Sequence, residues 1–194
     1  MTDETRVYSL APPAPPQTIH LIPNVPFPEW DDMAIHNGLP YLLCALVSAF
    51  QPRVAIEAGT YKGHAAMAIA MTMKEIKRGH LYTADPIDQN VNALIKQHDL
   101  PATYYEGTFE AMLDTLVPKG SVDLAFIDAS GPPQDAYMRA RHAMMALDHL
   151  AEGGIVMMDD MAATDWPLVN VLRGLSNLYI PTMRGQAIFQ KRSK

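Results

Sequence analysis

The sequence predicts an α/β protein: a doubly wound, mostly parallel seven-stranded sheet that closes with a C-terminal antiparallel hairpin. Three observations predict it. From Gly38 onward, short apolar runs alternate with longer segments of helical character, the order that places helices on both faces of a parallel sheet. Acids follow the apolar runs at Glu57, Asp85, Glu106, Asp128 and Asp159-Asp160, at the carboxyl ends of strands where such sheets bind ligands. The last two runs flank only Pro181 to Gly185, too short a gap for a helical crossover and suited to a hairpin.

Prolines at 12, 13, 15, 16, 23, 26 and 28 remove backbone donors and fix φ, so residues 1–28 read as an extended arm preceding a domain over 29–194. Two readings compete for the arm, a disordered tail and a segment lying over the active site or over a partner subunit of a homo-oligomer; Ile19, Leu21, Ile22, Val25, Phe27 and Trp30 favour partial ordering, because that much apolar surface seldom stays in water. Leu39 to Phe50 reads as a helix, Arg53 to Glu57 as a strand and Gly63 to Lys77 as a helix. His80 to Ala84 is a strand, Gln89 to Gln97 a helix, Thr103 to Tyr105 a short strand and Phe109 to Leu116 a helix. Val122 to Ile127 is a strand, Gln134 to Ala151 a long helix and Ile155 to Met158 a strand. Asp165 to Leu175 looks helical, and Leu178 to Ile180 and Gln186 to Gln190 form the closing strands.

The most informative stretch runs from Val54 to His64, a buried strand that ends in an acid and breaks into a glycine loop before a helix. A dinucleotide loop usually reads GxGxxG, whose glycines admit a pyrophosphate. Here the pattern is Glu57-x-Gly59-x-x-x-Gly63, so no pyrophosphate is expected. An acid at that position suits a ligand with a positive group, and Gly59 allows close backbone approach. S-adenosylmethionine, with its ammonium, sulfonium and ribose, meets that description. An acid at the end of a buried strand also demands a partner.

A formal net charge of −6 argues against nucleic acid or an anionic membrane as partner, because phosphate binding needs a basic face. Lys191, Arg192 and Lys194 read as a solvated tail. Cys44 is the single cysteine and sits in an apolar run, so it reads as a buried thiol in a reducing compartment. The start of the chain lacks a basic segment followed by an apolar core, and no apolar run approaches the roughly 20 residues that cross a bilayer. A cytoplasmic location is the expectation.

These residues resemble the class I S-adenosylmethionine-dependent methyltransferases, a Rossmann-like fold, and within them the small-molecule O-methyltransferases of the sugar and catechol type. The likeness covers roughly Arg53 to Lys191. It rests on Glu57-x-Gly59-x-x-x-Gly63, Asp85, Glu106-Gly107-Thr108-Phe109, Val122 to Asp128 and Gly153 to Asp160, in that order and spacing. The resemblance implies that Glu57, Gly59, Thr60, Tyr61, Gly63 and His64 hold the methionine part of the cofactor. It places Asp85 on the ribose hydroxyls, Gly107 and Thr108 near the adenine, and Asp128 facing the methyl donor.

If the strand order is the usual one, Asp128, Asp159 and Asp160 cluster at one rim. Like charges that close raise one another's pKa, and a divalent cation removes the conflict; all-oxygen ligands suit Mg²⁺. The alternative roles are facing the methyl donor for Asp128 and capping a helix for Asp160. The sequence departs from its relatives just past Asp128. Where they carry an acid, a histidine or a lysine as base, this chain has Ser130, Gly131, Pro132 and Pro133. Either the metal and water deprotonate the acceptor, or a histidine from elsewhere serves, or the acceptor differs from those of the relatives; Asp128 and His36 are the candidate catalytic residues, with a solvated helix-start histidine as the other reading of His36. His142 and His149 read as surface or helix-packing residues, and Tyr61 and Trp166 as packing or acceptor-pocket aromatics.

The reading is therefore a methyltransferase that uses S-adenosylmethionine and a candidate Mg²⁺ to methylate a hydroxyl of a small molecule. The alternatives are a catalytically silent methyltransferase-like binding protein and an NAD-dependent dehydrogenase.

Overall fold

The computed structural model describes residues 38–129, 135–160, 176–180 and 185–191. The proline-rich arm, His36, Trp166, residues 130–134, the helix expected over 165–175 and residues 181–184 lie outside the described residues. Those described form α1 (Leu39–Phe50), β1 (Val54–Ala58), α2 (His64–Glu75), β2 (His80–Asp85), α3 (Val91–Gln97), β3 (Ala102–Glu106), α4 (Phe109–Leu116), β4 (Val122–Ile127), α5 (Asp135–His149), β5 (Leu150–Met158), β6 (Ser176–Ile180) and β7 (Gln186–Gln190). Among them no helix is long and apolar enough to cross a membrane.

All seven strands join one sheet in the order β3-β2-β1-β4-β5-β7-β6. The first five pair in parallel, and β7 runs antiparallel to both β5 and β6. The expected hairpin therefore forms, and it is the later strand that inserts beside β5 and leaves β6 at the edge.

Alternate residues of each central strand feed opposite faces, because successive side chains of a strand point to opposite sides. Ala55, Leu124, Phe126, Ile155 and Met157 join Leu43, Val47, Ile69 and Met73 on the face covered by α1 and α2. Ile56, Ala58, Ala125, Ile127, Val156 and Met158 join Phe109, Met112, Leu113, Ala143 and Ala146 under α4 and α5. Burial on both faces is why these strands read as unbroken apolar runs rather than as alternating ones.

The boundaries differ from the sequence expectation mainly around α5, which ends at His149 while Leu150 already pairs with Val122. The ladder shifts register between Val122 and Leu124. A Cβ at Gly154 would stand 2.7 Å from the Val122 carbonyl oxygen, so glycine permits this close crossing where a side chain would push the strands apart. Helical propensity at Leu150 and Ala151 yields to long-range pairing.

Candidate functional site

Backbone bonds carry the ladder just past the strand ends and so gather the loops at one rim. Gly59 N donates to Ala84 O at 3.1 Å, Asp128 N to Ala58 O at 2.9 Å, Gly107 N to Asp85 O at 3.0 Å and Asp159 N to Ile127 O at 3.1 Å. Gly59 takes φ +88°, and a Cβ there would stand 2.7 Å from the Asp128 carbonyl oxygen. Only glycine fits both the backbone angle and the contact. The turn closes with Gly63 N donating to Thr60 O at 2.8 Å, and α2 begins at His64, which is half-buried.

Glu57 is wholly buried beneath this turn. Thr83 donates its hydroxyl to Glu57 Oε2, and Thr60 shares a hydrogen bond with Thr83. Glu57 Oε1 has no partner among the described residues. Burial pushes the carboxyl up to about 8, against the lowering effect of the Thr83 hydrogen bond and with a further push from the Asp85 charge. A buried acid with an open oxygen is an acceptor waiting for a cation or a donor.

Asp85 closes β2. Its Oδ2 accepts from Tyr61 N at 2.9 Å and its Oδ1 from Ile87 N at 3.0 Å. Both oxygens are thereby fixed in direction, and each retains a second lone pair for a ligand hydroxyl. Tyr61 takes φ +46° and its ring is exposed, with Lys62 Nζ 5.5 Å from the ring centroid. The sequence placed Tyr61 at the cofactor. The structure gives its amide to Asp85 and leaves its ring exposed.

A cleft of about 480 Å³ opens beside these groups, within the range of small-molecule sites. Gly59, Asp85, Ile87, Thr108, Glu110 and His142 line it, together with apolar residues that include Phe109 and Met138. Thr108 caps α4, its Oγ1 accepting from Ala111 N at 3.2 Å. Such a cap contributes about 1 kcal/mol to the helix and fixes Glu110 in the first turn.

The three rim acids meet as expected. Carboxylate oxygens of Asp128, Asp159 and Asp160 all lie within 4.8 Å of one another. Gln186 Nε2 donates to Asp159 Oδ1 at 2.6 Å, and Arg139 Nη1 lies 3.3 Å from Asp160 Oδ2. The donor set is all oxygen, and Arg139 returns one positive charge to three negative ones, so the residues fit a divalent hard cation.

Two cleft and rim residues are not among the site residues expected from the sequence: Arg139 is not singled out there, and His142 reads as a surface or helix-packing residue. Arg139 is 1% exposed and His142 5% exposed, although charged and polar side chains usually face water. Both lie on the α5 face that carries Ala143 and Ala146, at the i, i+3, i+4, i+7 spacing of a buried stripe. That polar interruption of an alanine face was the available signal. His149, by contrast, is a packing residue, with Nδ1 3.0 Å from Val117 O.

A family model described as a methyltransferase domain matches residues 56–161, more than half of the 194-residue chain. No curated protein sequence matches. Among solved structures, the chain is similar to the S-adenosylhomocysteine-bound methyltransferase PaMTH1 of Podospora anserina, with 19% identity, TM-score 0.65, and 79% and 78% of the two chains covered. A methyltransferase of Geobacter sulfurreducens matches at 16% identity and TM-score 0.64, covering 84% and 92%. The O-methyltransferase TomG of Streptomyces achromogenes, involved in tomaymycin synthesis and solved with S-adenosylmethionine, matches at 16% identity and TM-score 0.62, covering 86% and 92%. At these identities the likeness is one of fold.

Proposed function

The chain belongs to the methyltransferase-domain family, and from that premise we propose that it transfers the methyl group of S-adenosylmethionine to a hydroxyl of a small molecule. The observation that carries the proposal is the cleft whose walls combine Gly59, which lets backbone come close, with Asp85, whose carboxylate is aimed by two amides. The open oxygen of buried Glu57 beneath the same turn suits the cofactor's ammonium. The fold likeness to the O-methyltransferase TomG supports oxygen as the acceptor atom.

In this reading Glu57, Gly59 and the Thr60 to Gly63 turn, with His64, hold the methionine part, and Asp85 takes the ribose hydroxyls. Charge-assisted hydrogen bonds of this kind are roughly twice as strong as neutral ones. Gly107 and Thr108 border the purine. The bound cofactor supplies an electrophilic methyl on a sulfonium. The chain's own task is to hold acceptor and donor in line and to remove the acceptor's proton as the oxygen–carbon bond forms and the carbon–sulfur bond breaks. Asp128, a member of the acid cluster whose backbone carbonyl lies against Gly59, would face the methyl donor. His36 is proposed as the base. Asp128, Asp159 and Asp160 would hold Mg²⁺, which lowers the pKa of a bound hydroxyl.

Thermal unfolding tests the proposal, because a ligand that binds only the folded state stabilises it by mass action. S-adenosylhomocysteine is expected to raise the midpoint and NAD to leave it unchanged, with Asp85→Ala reducing the shift. Stabilisation by NAD alone would overturn the proposal. Cofactor binding without turnover across a broad panel of hydroxyl acceptors would make the chain a binding protein instead.

A further inference from the structure

We infer that residues 19–30 of this chain dock on the outer face of α1. That helix carries no Asp, Glu, Lys or Arg along its 12 residues, whereas a surface helix normally turns a charged face to water. Leu43, Cys44 and Val47 go into the core. On the opposite side Tyr41, Ala45 and Ala49 follow one another at the four-residue spacing of a helix face, flanked by Leu42 and Leu46. Tyr41 is 51% exposed and Ala49 is exposed, while Leu42, Ala45 and Leu46 are half-buried. The two alanines let an extended segment approach the helix closely, and a continuous apolar face of this kind marks a surface that something covers.

The occupant follows from the chain that enters α1. Residues 1–37 precede the first described residue, Gly38. Gly38 takes φ +65° with nothing within 4 Å of a Cβ, so glycine serves a sharp turn there rather than close packing. The stretch 31–37 between Trp30 and that turn extends to about 25 Å, more than the roughly 18 Å length of α1, so Trp30 can reach any point along the face. Residues 7–28, like α1, contain no Asp, Glu, Lys or Arg, whereas segments that stay in water are usually rich in charge. Leu21, Ile22, Phe27 and Trp30 supply apolar side chains, and Pro23, Pro26 and Pro28 fix φ in advance, which lowers the entropy that docking costs. An aromatic ring such as that of Tyr41 suits an extended, proline-rich segment. Covalent attachment holds the segment near the face at about millimolar effective concentration, which favours it over a second copy of the chain.

Trp30 and Trp166 are the two tryptophans, so Trp166→Phe in the full chain leaves Trp30 as the reporter, and the difference between wild type and Trp30→Phe isolates the same signal with Trp166 in place. Docked, Trp30 should emit at shorter wavelength than in the urea-unfolded chain and resist quenching by acrylamide, at every protein concentration. Tyr41→Glu and Ala49→Lys lie in the first and last turns of α1, where an acid and a base suit the helix dipole, so they charge the face without weakening the helix. Each should move emission and quenching toward the unfolded values. Trp30 quenched in the folded wild type as freely as in the unfolded chain overturns the inference, and so does shielding that neither variant alters. Shielding that appears only as light scattering reports a dimer gives the face to a second copy and overturns it as well.

Discussion

Arg139 Nη1 lies 3.3 Å from Asp160 Oδ2 with the arginine 1% exposed, so a fixed positive charge stands inside the acid cluster of Asp128, Asp159 and Asp160. Asp160 itself takes φ +56°, a backbone angle that asparagine and aspartate adopt more readily than most residues. Removing one partner of a part-buried ion pair leaves a charge that water compensates only in part, at a cost smaller than the ~3–5 kcal/mol of a fully buried pair. Arg139→Met is therefore expected to lower the unfolding midpoint in chelator. It should also bind Mg²⁺ and Mn²⁺ more tightly than the wild type, because a cation no longer competes with the guanidinium for Asp160. Metal titration followed by calorimetry and by thermal unfolding measures both effects, and unchanged metal affinity would show that the arginine does not set it.

Asp159 accepts from Gln186 at 2.6 Å, and an asparagine could keep that bond through its carbonyl oxygen. Asp159→Asn is therefore expected to leave the fold and the affinity for S-adenosylhomocysteine nearly unchanged while reducing metal-dependent turnover. Activity that survives both this change and EDTA would leave the acids without a metal role.

The Glu57 carboxyl is held at about 8, above its ordinary 4.5, which fixes the sign of a pH effect. Below about pH 4.5 both folded and unfolded chains keep the proton and no penalty exists. As pH rises toward 8, the unfolded chain releases the proton first and stability falls, by at most about 1.4 kcal/mol per pH unit. The cofactor-free protein should therefore melt at lower temperature at pH 8 than at pH 5.5, and Glu57→Gln should flatten that slope. Melting curves of both proteins across this window decide, and parallel curves would show that Glu57 does not titrate there.

At Gly59 a Cβ would meet the Asp128 carbonyl oxygen at 2.7 Å with φ at +88°, whereas at Gly120, φ +73°, nothing lies within 4 Å. Gly120→Ala should cost only the backbone strain, about 1–2 kcal/mol. Gly59→Ala adds the collision with backbone and should cost about 2–4 kcal/mol, besides narrowing the cleft. Denaturant midpoints of the two variants measure the difference, and equal losses would mean that the loops move apart easily.

The sequence by itself determined the strands and helices, their alternation and the rim on which the acids gather. These follow from local causes: apolar runs buried on both faces, glycines and prolines that break them, and a gap too short for a crossover before Gln186. It also placed Glu57, Asp85, Asp128, Asp159 and Asp160 together, because a parallel sheet brings every strand's carboxyl end to one edge. Only the tertiary structure decided that α5 turns Arg139 and His142 inward, that β7 inserts between β5 and β6, and that Leu150 leaves the helix to pair with Val122. Burial of a charged or polar residue depends on what a distant segment places opposite it, here Asp160 for Arg139 and Glu110 for His142. The raised Glu57 carboxyl has the same origin: its sequence neighbours specify a strand, and the desolvation that shifts it comes from the chain folded over it.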